Sequence, residues 1–147
     1  MSEPRLSYLI GRLDRVLRRQ LALAVEAHGL TLPAYTTLTV LRANDGLSNA
    51  QLARRSFVTP QSMSEVLAYL VGQGYVSRRA EPGHGRIVRT ELTKAGERVL
   101  KRCNTAVDEI ERTMLAELGL EEIETFREAL RRCSLALIEE TVPKPAV

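Results

Sequence analysis

Short polar side chains follow a predicted helix start at residue 59 of this 147-residue chain. Threonine followed by proline is typical of a helix N-terminus, because the hydroxyl caps a free amide and proline suits the first turn. An amide side chain can pair with adenine, a carboxylate can accept from the cytosine amino group, and hydroxyls and helix-start amides can bind phosphates. On its own, such a face is also typical of ordinary solvated helix surface. The candidate DNA contacts on this helix are Thr59, Gln61, Ser62, Ser64 and Glu65.

Arginines accumulate in the next segment. Residues 75–80 and 86–92 are rich in β-branched or long side chains and are separated by residues 81–85, whose Pro-Gly-His-Gly tip predicts a hairpin with a flexible loop. A guanidinium beside such a tip can enter a narrow minor groove, where the negative potential is enhanced. We therefore expect Arg86 in the minor groove and Arg78 and Arg89 on the same duplex.

The charge distribution favours the same interpretation. Residues 1–46 carry six basic and four acidic side chains, residues 47–98 carry eight and four, and residues 99–147 carry seven and ten. A clustered positive field is the electrostatic footprint of phosphate binding. The alternative is a solvated charged surface, which the counts alone do not exclude.

The elements that position these side chains follow from apolar periodicity and capping signals. The pattern predicts a mainly α fold with a small β-hairpin wing, in which a winged helix-turn-helix is flanked by N- and C-terminal dimerisation helices. We expect three segments within one compact subunit: residues 1–30, 31–93 and 94–147. The predicted helices cover about residues 4–28, 31–43, 48–55, 59–74, 93–118 and 121 onward.

The terminal helices carry apolar seams that a lone domain of this size could hardly cover. The seam of the last helix follows a heptad spacing through Ile123, Phe126, Leu130, Cys133 and Leu137. We expect a homodimer. The alternative is that the terminal helices pack on one another within one subunit.

Enzymatic chemistry has few candidate residues here. The chain has two histidines, His28 and His84, and shows no nucleophilic triad, phosphate-binding glycine loop or paired carboxylates. Neither Cys103 nor Cys133 lies in a metal-ligand spacing. We therefore expect no catalytic site, metal or cofactor.

No hydrophobic run approaches the roughly 20 residues that span a bilayer, and no signal peptide is recognisable. The longest run of aliphatic side chains, Leu21–Val25, has five residues. We therefore expect a cytoplasmic protein with no membrane partner.

Four stretches together resemble the MarR family of transcriptional regulators: residues 47–53, 58–63, 74–79 and 85–96. The resemblance implies a homodimer that binds a pseudopalindromic duplex, usually as a repressor released by a small molecule. The family's wing arginine falls on Arg86. Where the family commonly has an aspartate two residues earlier, this chain has His84, so either Glu81 substitutes for the carboxylate or the wing is more mobile.

The resemblance also implies an effector pocket that often takes phenolic or aromatic acids. On a helical wheel, Gln20 falls inside the apolar stripe of the first helix and His28 at its edge, where each is either satisfied within the protein or awaits a ligand. Two alternatives stay open: a thiol-based redox-responsive regulator, and a helical protein-interaction module without DNA binding. The candidate ligand-binding residues are Arg15, Gln20, His28, Tyr35 and Thr39.

Overall fold

The computed structural model describes residues 2–44 and 46–141, with the backbone alone at 81, 84–87 and 139–141. In that part of the chain, six helices and a two-stranded antiparallel hairpin confirm the predicted fold class. The chain divides into two compact units, residues 1–110 and 111–147. The elements are α1 (Leu6–Glu26), α2 (Leu32–Ala43), α3 (Asn49–Arg55), α4 (Pro60–Gly72), β1 (Val76–Glu81), β2 (His84–Leu92), α5 (Lys94–Met114) and α6 (Leu120–Thr141).

Hydroxyl side chains begin α2, α3, α4 and α5. In each case the hydroxyl oxygen accepts a hydrogen bond from the amide three residues later, which satisfies one of the free amides of the first turn. At α3 the bond is reciprocal: Ser48 Oγ accepts from the Gln51 amide at 3.2 Å, and Gln51 Oε1 accepts from the Ser48 amide at 2.9 Å. The starts predicted at Thr31, Ser48, Thr59 and Thr93 are therefore confirmed.

One hydrophobic core holds the first unit together. From α4 it receives Met63, Leu67 and Leu70, which are fully buried, while Val66 is half-buried. Burying an apolar side chain of this size stabilises the fold by roughly 1.5–3 kcal/mol. The apolar side of α4 is thereby held inward, and the polar side is left facing out. Other fully buried side chains are Val25, Leu30, Leu38, Leu52, Val99, Leu100 and Cys103.

The hairpin is tighter than its sequence predicts. The strands pair from Val76 opposite Leu92 to Glu81 opposite His84, so the predicted five-residue loop at 81–85 is wrong. Only Pro82 and Gly83 connect the strands. Proline presets the first turn position, and Gly83 adopts a φ of +86°, which the second position of a type II turn requires. Strand pairing therefore continues to the tip, with a register shift after Ala80.

The second unit contains the end of α5 and all of α6. α5 ends at Met114 rather than near Leu118, and the Leu118 amide donates to the Leu115 carbonyl at 3.0 Å in the tighter turn that follows. Glu122 Oε2 accepts from the Gly119 amide at 2.8 Å at the start of α6. Several large apolar side chains of α6 are exposed: Leu120, Leu130, Leu135, Leu137 and Ile138.

α1 buries only its C-terminal part in the first unit, where Val25 is fully buried. Gln20, which the helical wheel places inside the apolar stripe, is exposed for that reason. Among the described helices, none is both long and apolar enough for a membrane crossing. Large apolar side chains also remain exposed on this helix, among them Leu6, Ile10, Leu13, Val16 and Leu23.

Candidate nucleic-acid interface

The outward face of α4 presents the predicted base-reading side chains. Gln61, Ser64 and Glu65 are exposed, and Ser62 is half-buried. Gln61 and Glu65 lie one helical turn apart, so they point from the same side of the helix. Neither makes a hydrogen bond to a described residue. Both side chains are therefore available to an external partner.

The hydroxyls at the start of α4 are engaged with one another. Thr59 Oγ1 accepts from the Ser62 amide at 3.1 Å and donates to Ser62 Oγ at 3.0 Å. Ser64 Oγ donates to the Pro60 carbonyl at 3.2 Å. Thr59 is exposed and fixes the N-terminus of the helix, whereas the Ser62 hydroxyl is partly committed to the cap.

The hairpin arginines take different positions. Strand alternation places Arg78 on the face of β1 that also carries Val76, and its Nη2 donates to Asn49 Oδ1 of α3 at 3.1 Å. Arg79 lies directly opposite Arg89, and both side chains are exposed. Arg86 lies on β2 as predicted, although its side chain is outside the part of the chain that the structure describes, as is that of His84.

The turn between α3 and α4 has an unusual backbone. The amide of Val58 donates to the carbonyl of Ala53 at 3.1 Å, and that of Phe57 to the carbonyl of Arg54 at 3.4 Å. This is the helix-ending arrangement that normally places glycine in the left-handed region. Here the left-handed residue is Phe57, with a φ of 59°, and its side chain is 80% exposed.

A cleft of about 430 Å³ opens between α1, α2 and this turn. Apart from Ser56 and Phe57, it contains one exposed ion pair, in which Arg18 Nε donates to both Asp14 carboxylate oxygens at 2.9 Å. Thr36 also lines it, and its hydroxyl donates to the Leu32 carbonyl at 3.0 Å. The remaining lining is apolar: Leu17, Leu21, Leu32, Pro33 and Val58.

None of the five ligand-binding residues predicted from sequence lines this cleft. Arg15, Gln20 and Thr39 are exposed, and His28 and Tyr35 are half-buried. Tyr35 and Thr39 do lie together, because Thr39 Oγ1 donates to the Tyr35 carbonyl at 3.0 Å, while the Tyr35 hydroxyl donates to Asn104 Oδ1 at 2.8 Å. The ligand-binding role of the five residues therefore stays a prediction.

Sequence reasoning missed Ser56, Phe57, Arg18 and Asn49. The Ser-Phe-Val sequence before Thr59 has no glycine, so only the shortness of the connection between the two helices indicates a strained turn. Asn49 becomes notable only once the fold brings Arg78 beside it.

The cysteines differ in their surroundings. Cys103 is fully buried, and burial raises the pKa of its thiol above the ordinary value, although the charge of Arg102 opposes the shift. Cys133 is exposed on α6. Both are free thiols. Because a thiolate is the reactive form, Cys103 has the character of an inert core residue.

Comparison with known proteins identifies the family. A model described as MarR family matches residues 28–87. The HTH-type transcriptional repressor Rv2887 of Mycobacterium tuberculosis is 37% identical over 127 residues, which cover 86% of this chain and 91% of that protein. The structure of Rv2887 in complex with salicylic acid superposes with a TM-score of 0.74 at 36% identity, over 90% of this chain and 98% of that one. The structure of Rv2887 in complex with DNA superposes with a TM-score of 0.72 at 34% identity, over 89% and 98%. This chain belongs to the MarR family of transcriptional regulators.

Proposed function

We propose that this chain represses transcription as a homodimer by inserting α4 of each subunit into the major groove of a pseudopalindromic operator, and that a small aromatic acid releases it. The observation that carries the proposal is the two-sided character of α4. Met63, Leu67 and Leu70 anchor one side in the core, and Gln61 and Glu65 project from the other. A helix anchored in this way can present side chains to a groove about 12 Å wide.

The reading contacts are assigned by hydrogen-bonding capacity. Gln61 offers both a donor and an acceptor, which matches the N6 and N7 edge of adenine, and Glu65 can accept from a cytosine amino group. Ser64 keeps acceptor capacity beyond its bond to the helix backbone. Thr59 and Ser62 stabilise the helix start, whose free amides and positive dipole end suit a phosphate.

The hairpin supplies the second contact. Arg79 and Arg89 lie directly opposite each other with exposed side chains, so they place two positive charges on one part of the wing. Guanidinium groups placed in this way can contact neighbouring phosphates of a duplex. We assign the minor groove to Arg86 because it lies near the tip of the wing. Arg78 donates a hydrogen bond to Asn49 of α3, so we assign it to holding the wing against α3 as well as to contacting a phosphate.

A second copy of the chain would cover the exposed apolar stripes of α1 and α6. Monomers rarely leave so many large apolar side chains on elongated faces in water. In a two-fold symmetric dimer, the same apolar stripe of each subunit forms its half of the interface. Such a dimer would place two α4 helices on half-sites about one helical turn apart, roughly 34 Å centre to centre. A regulator that must reach DNA would act in the cytoplasm.

The cleft beside the α3–α4 turn is the site that we assign to the effector. The salicylic acid complex of Rv2887 supports an aromatic carboxylate as the ligand class. The apolar walls suit an aromatic ring, and Arg18 could exchange Asp14 for the ligand carboxylate, because a guanidinium binds a carboxylate through two hydrogen bonds. The pair formed by Tyr35 and Thr39, with Arg15, Gln20 and His28, is a second candidate location.

Salt-dependent DNA binding tests the proposal. Titration of the full-length protein against genomic fragments at two salt concentrations should give an affinity that falls steeply as salt rises, because phosphate contacts release counterions. Addition of salicylate should reduce the bound fraction. The absence of salt-sensitive duplex binding would contradict the proposal and favour a protein-interaction module. Sedimentation equilibrium tests the dimer separately, and a monomer at micromolar concentration would contradict that part.

A further inference from the structure

Two adjacent residues in the α3–α4 turn carry unfavourable features that the core does not explain. Ser56 is only 4% exposed, yet its Oγ makes no hydrogen bond to any described residue. Buried hydroxyls are normally paired, because an unpaired one loses its bonds to water without compensation. Ser56 lines the cleft.

Phe57 shows the second feature. α4 ends in the same arrangement as α3, with the amide of Tyr75 bonded to the carbonyl of Leu70 at 3.0 Å, and there the left-handed residue is Gly74 with a φ of 73°. A phenylalanine in that conformation is strained, because its Cβ crowds the backbone. Its ring gains nothing in return, since it is 80% exposed at the cleft. Strain of this kind tends to concentrate where a ligand or switch needs it.

We propose that Ser56 and Phe57 recognise the ligand in this cleft, and we call these two residues the corner. The Ser56 hydroxyl hydrogen-bonds a polar substituent on the ring of an aromatic carboxylic acid, and the Phe57 ring packs against the ligand ring. This assignment rests on the proposed function, which places an aromatic acid in this cleft. It adds which side chains of the cleft recognise the aromatic ring and its hydrogen-bonding substituent.

The rest of the cleft supports this division of roles. Arg18 is the cationic side chain that can hold the carboxylate, and Thr36 already donates its proton to the helix backbone. Among the described residues of the lining, Ser56 is therefore the hydroxyl with both a donor and an acceptor to offer. A site with a buried polar group discriminates against ligands that leave this group unpaired.

The corner also lies at the point where a ligand can affect DNA binding. Ser56 is the C-cap of α3, and Thr59, three residues later, is the N-cap of α4. A ligand held between Ser56 and Phe57 therefore contacts the short turn that aims the reading helix.

Calorimetric titration of the full-length protein with benzoate and its 2-, 3- and 4-hydroxy derivatives tests the proposal. In the wild-type protein, at least one hydroxybenzoate should bind roughly three- to tenfold more tightly than benzoate, the factor that one neutral hydrogen bond supplies. In Ser56→Ala that preference should fall below about twofold while benzoate binds as before. Ser56→Ala should be at least as stable as the wild type without ligand, because it removes an unpaired buried hydroxyl.

Two further variants separate the contributions. Thr36→Val is the matched control, because it removes a cleft hydroxyl whose proton is already donated, and it should keep the preference. Phe57→Gly should weaken all four acids by a similar factor of roughly three to ten, with the preference intact, because it removes the packing ring and suits the left-handed backbone.

The outcomes distinguish this proposal from the effector assignment. If the acids bind and Ser56→Ala keeps the wild-type preference, the role of Ser56 is overturned while the effector site stands. If the wild type binds all four acids equally, the corner does not read the substituent. If none of the acids binds, both the corner and the aromatic-acid effector are overturned.

Discussion

The backbone at Gly96 lies close to that of Tyr75 in the first unit, and Gly96→Ala should therefore destabilise the protein. The residue lies in the first turn of α5, where an added Cβ would overlap the carbonyl oxygen of Tyr75 and lie 3.1 Å from Leu92 Cδ2. That carbonyl cannot easily move away, because it accepts a hydrogen bond from the Thr93 amide at 3.1 Å. The clash is with backbone, so side-chain rotation cannot relieve it.

The size of the effect can be worked out against a matched substitution. Overpacking costs about 1–3 kcal/mol, and a clash with held backbone belongs at the upper end. Alanine gains up to about 1 kcal/mol over glycine within a helix, so Gly96→Ala should lose about 2 kcal/mol net. At Gly11 of α1 an added Cβ meets nothing within 4 Å. Gly11→Ala should therefore gain up to about 1 kcal/mol.

Urea unfolding of both variants at one protomer concentration measures the difference. The midpoint should fall for Gly96→Ala and rise slightly for Gly11→Ala, with unchanged slopes, which places the two about 3 kcal/mol apart. Equal stability of the two variants would refute the close approach of α5 to the base of the wing.

Two other predictions concern the helix start and the buried thiol. Thr59→Ala should lower stability by about 1 kcal/mol, because it removes the cap of α4, whereas Thr59→Ser should retain the cap; equal unfolding midpoints for the two would contradict this role. Cys103 should react with iodoacetamide at neutral pH far more slowly than in the urea-unfolded chain, because burial raises its pKa above 9.0. The folded chain holds the thiol proton of Cys103 to a higher pH than the unfolded chain does. The contribution of this thiol to the free energy of unfolding is therefore present below pH 9.0 and is lost as the pH rises through the raised pKa. Urea midpoints that rise between pH 8 and pH 10 would contradict that sign.

Much of the fold was predictable because its signals are local. The capping hydroxyls and the apolar side of α4 depend on neighbours three or four residues away, and the structure confirms both. The prediction that the chain is not an enzyme is confirmed by its membership of a non-enzymatic family. The DNA contacts of Gln61 and Glu65 stay predictions, which their exposed positions support.

The features that were missed depend on tertiary surroundings. No local rule places a phenylalanine in the left-handed conformation of Phe57; the hydrogen bond from the Val58 amide to the Ala53 carbonyl and the packing of Val58 against the core hold that backbone. Two other features arise only when separate elements pack together: the unpaired hydroxyl of Ser56, and the hydrogen bond from Arg78 to Asn49. The loop at the wing was predicted too long because the Pro82–Gly83 turn lets strand pairing continue to Glu81 and His84.

The central claim is that α4 reads base edges, and the affinity of Gln61→Ala for two duplexes tests it most directly. Fluorescence anisotropy at one salt concentration should show a loss of about 1–3 kcal/mol on a selected operator fragment and no loss on a scrambled duplex. Gln73→Ala, at the exposed far end of α4, is the matched control and should bind both duplexes as the wild type does. Equal losses on the operator and the scrambled duplex for Gln61→Ala would contradict the account.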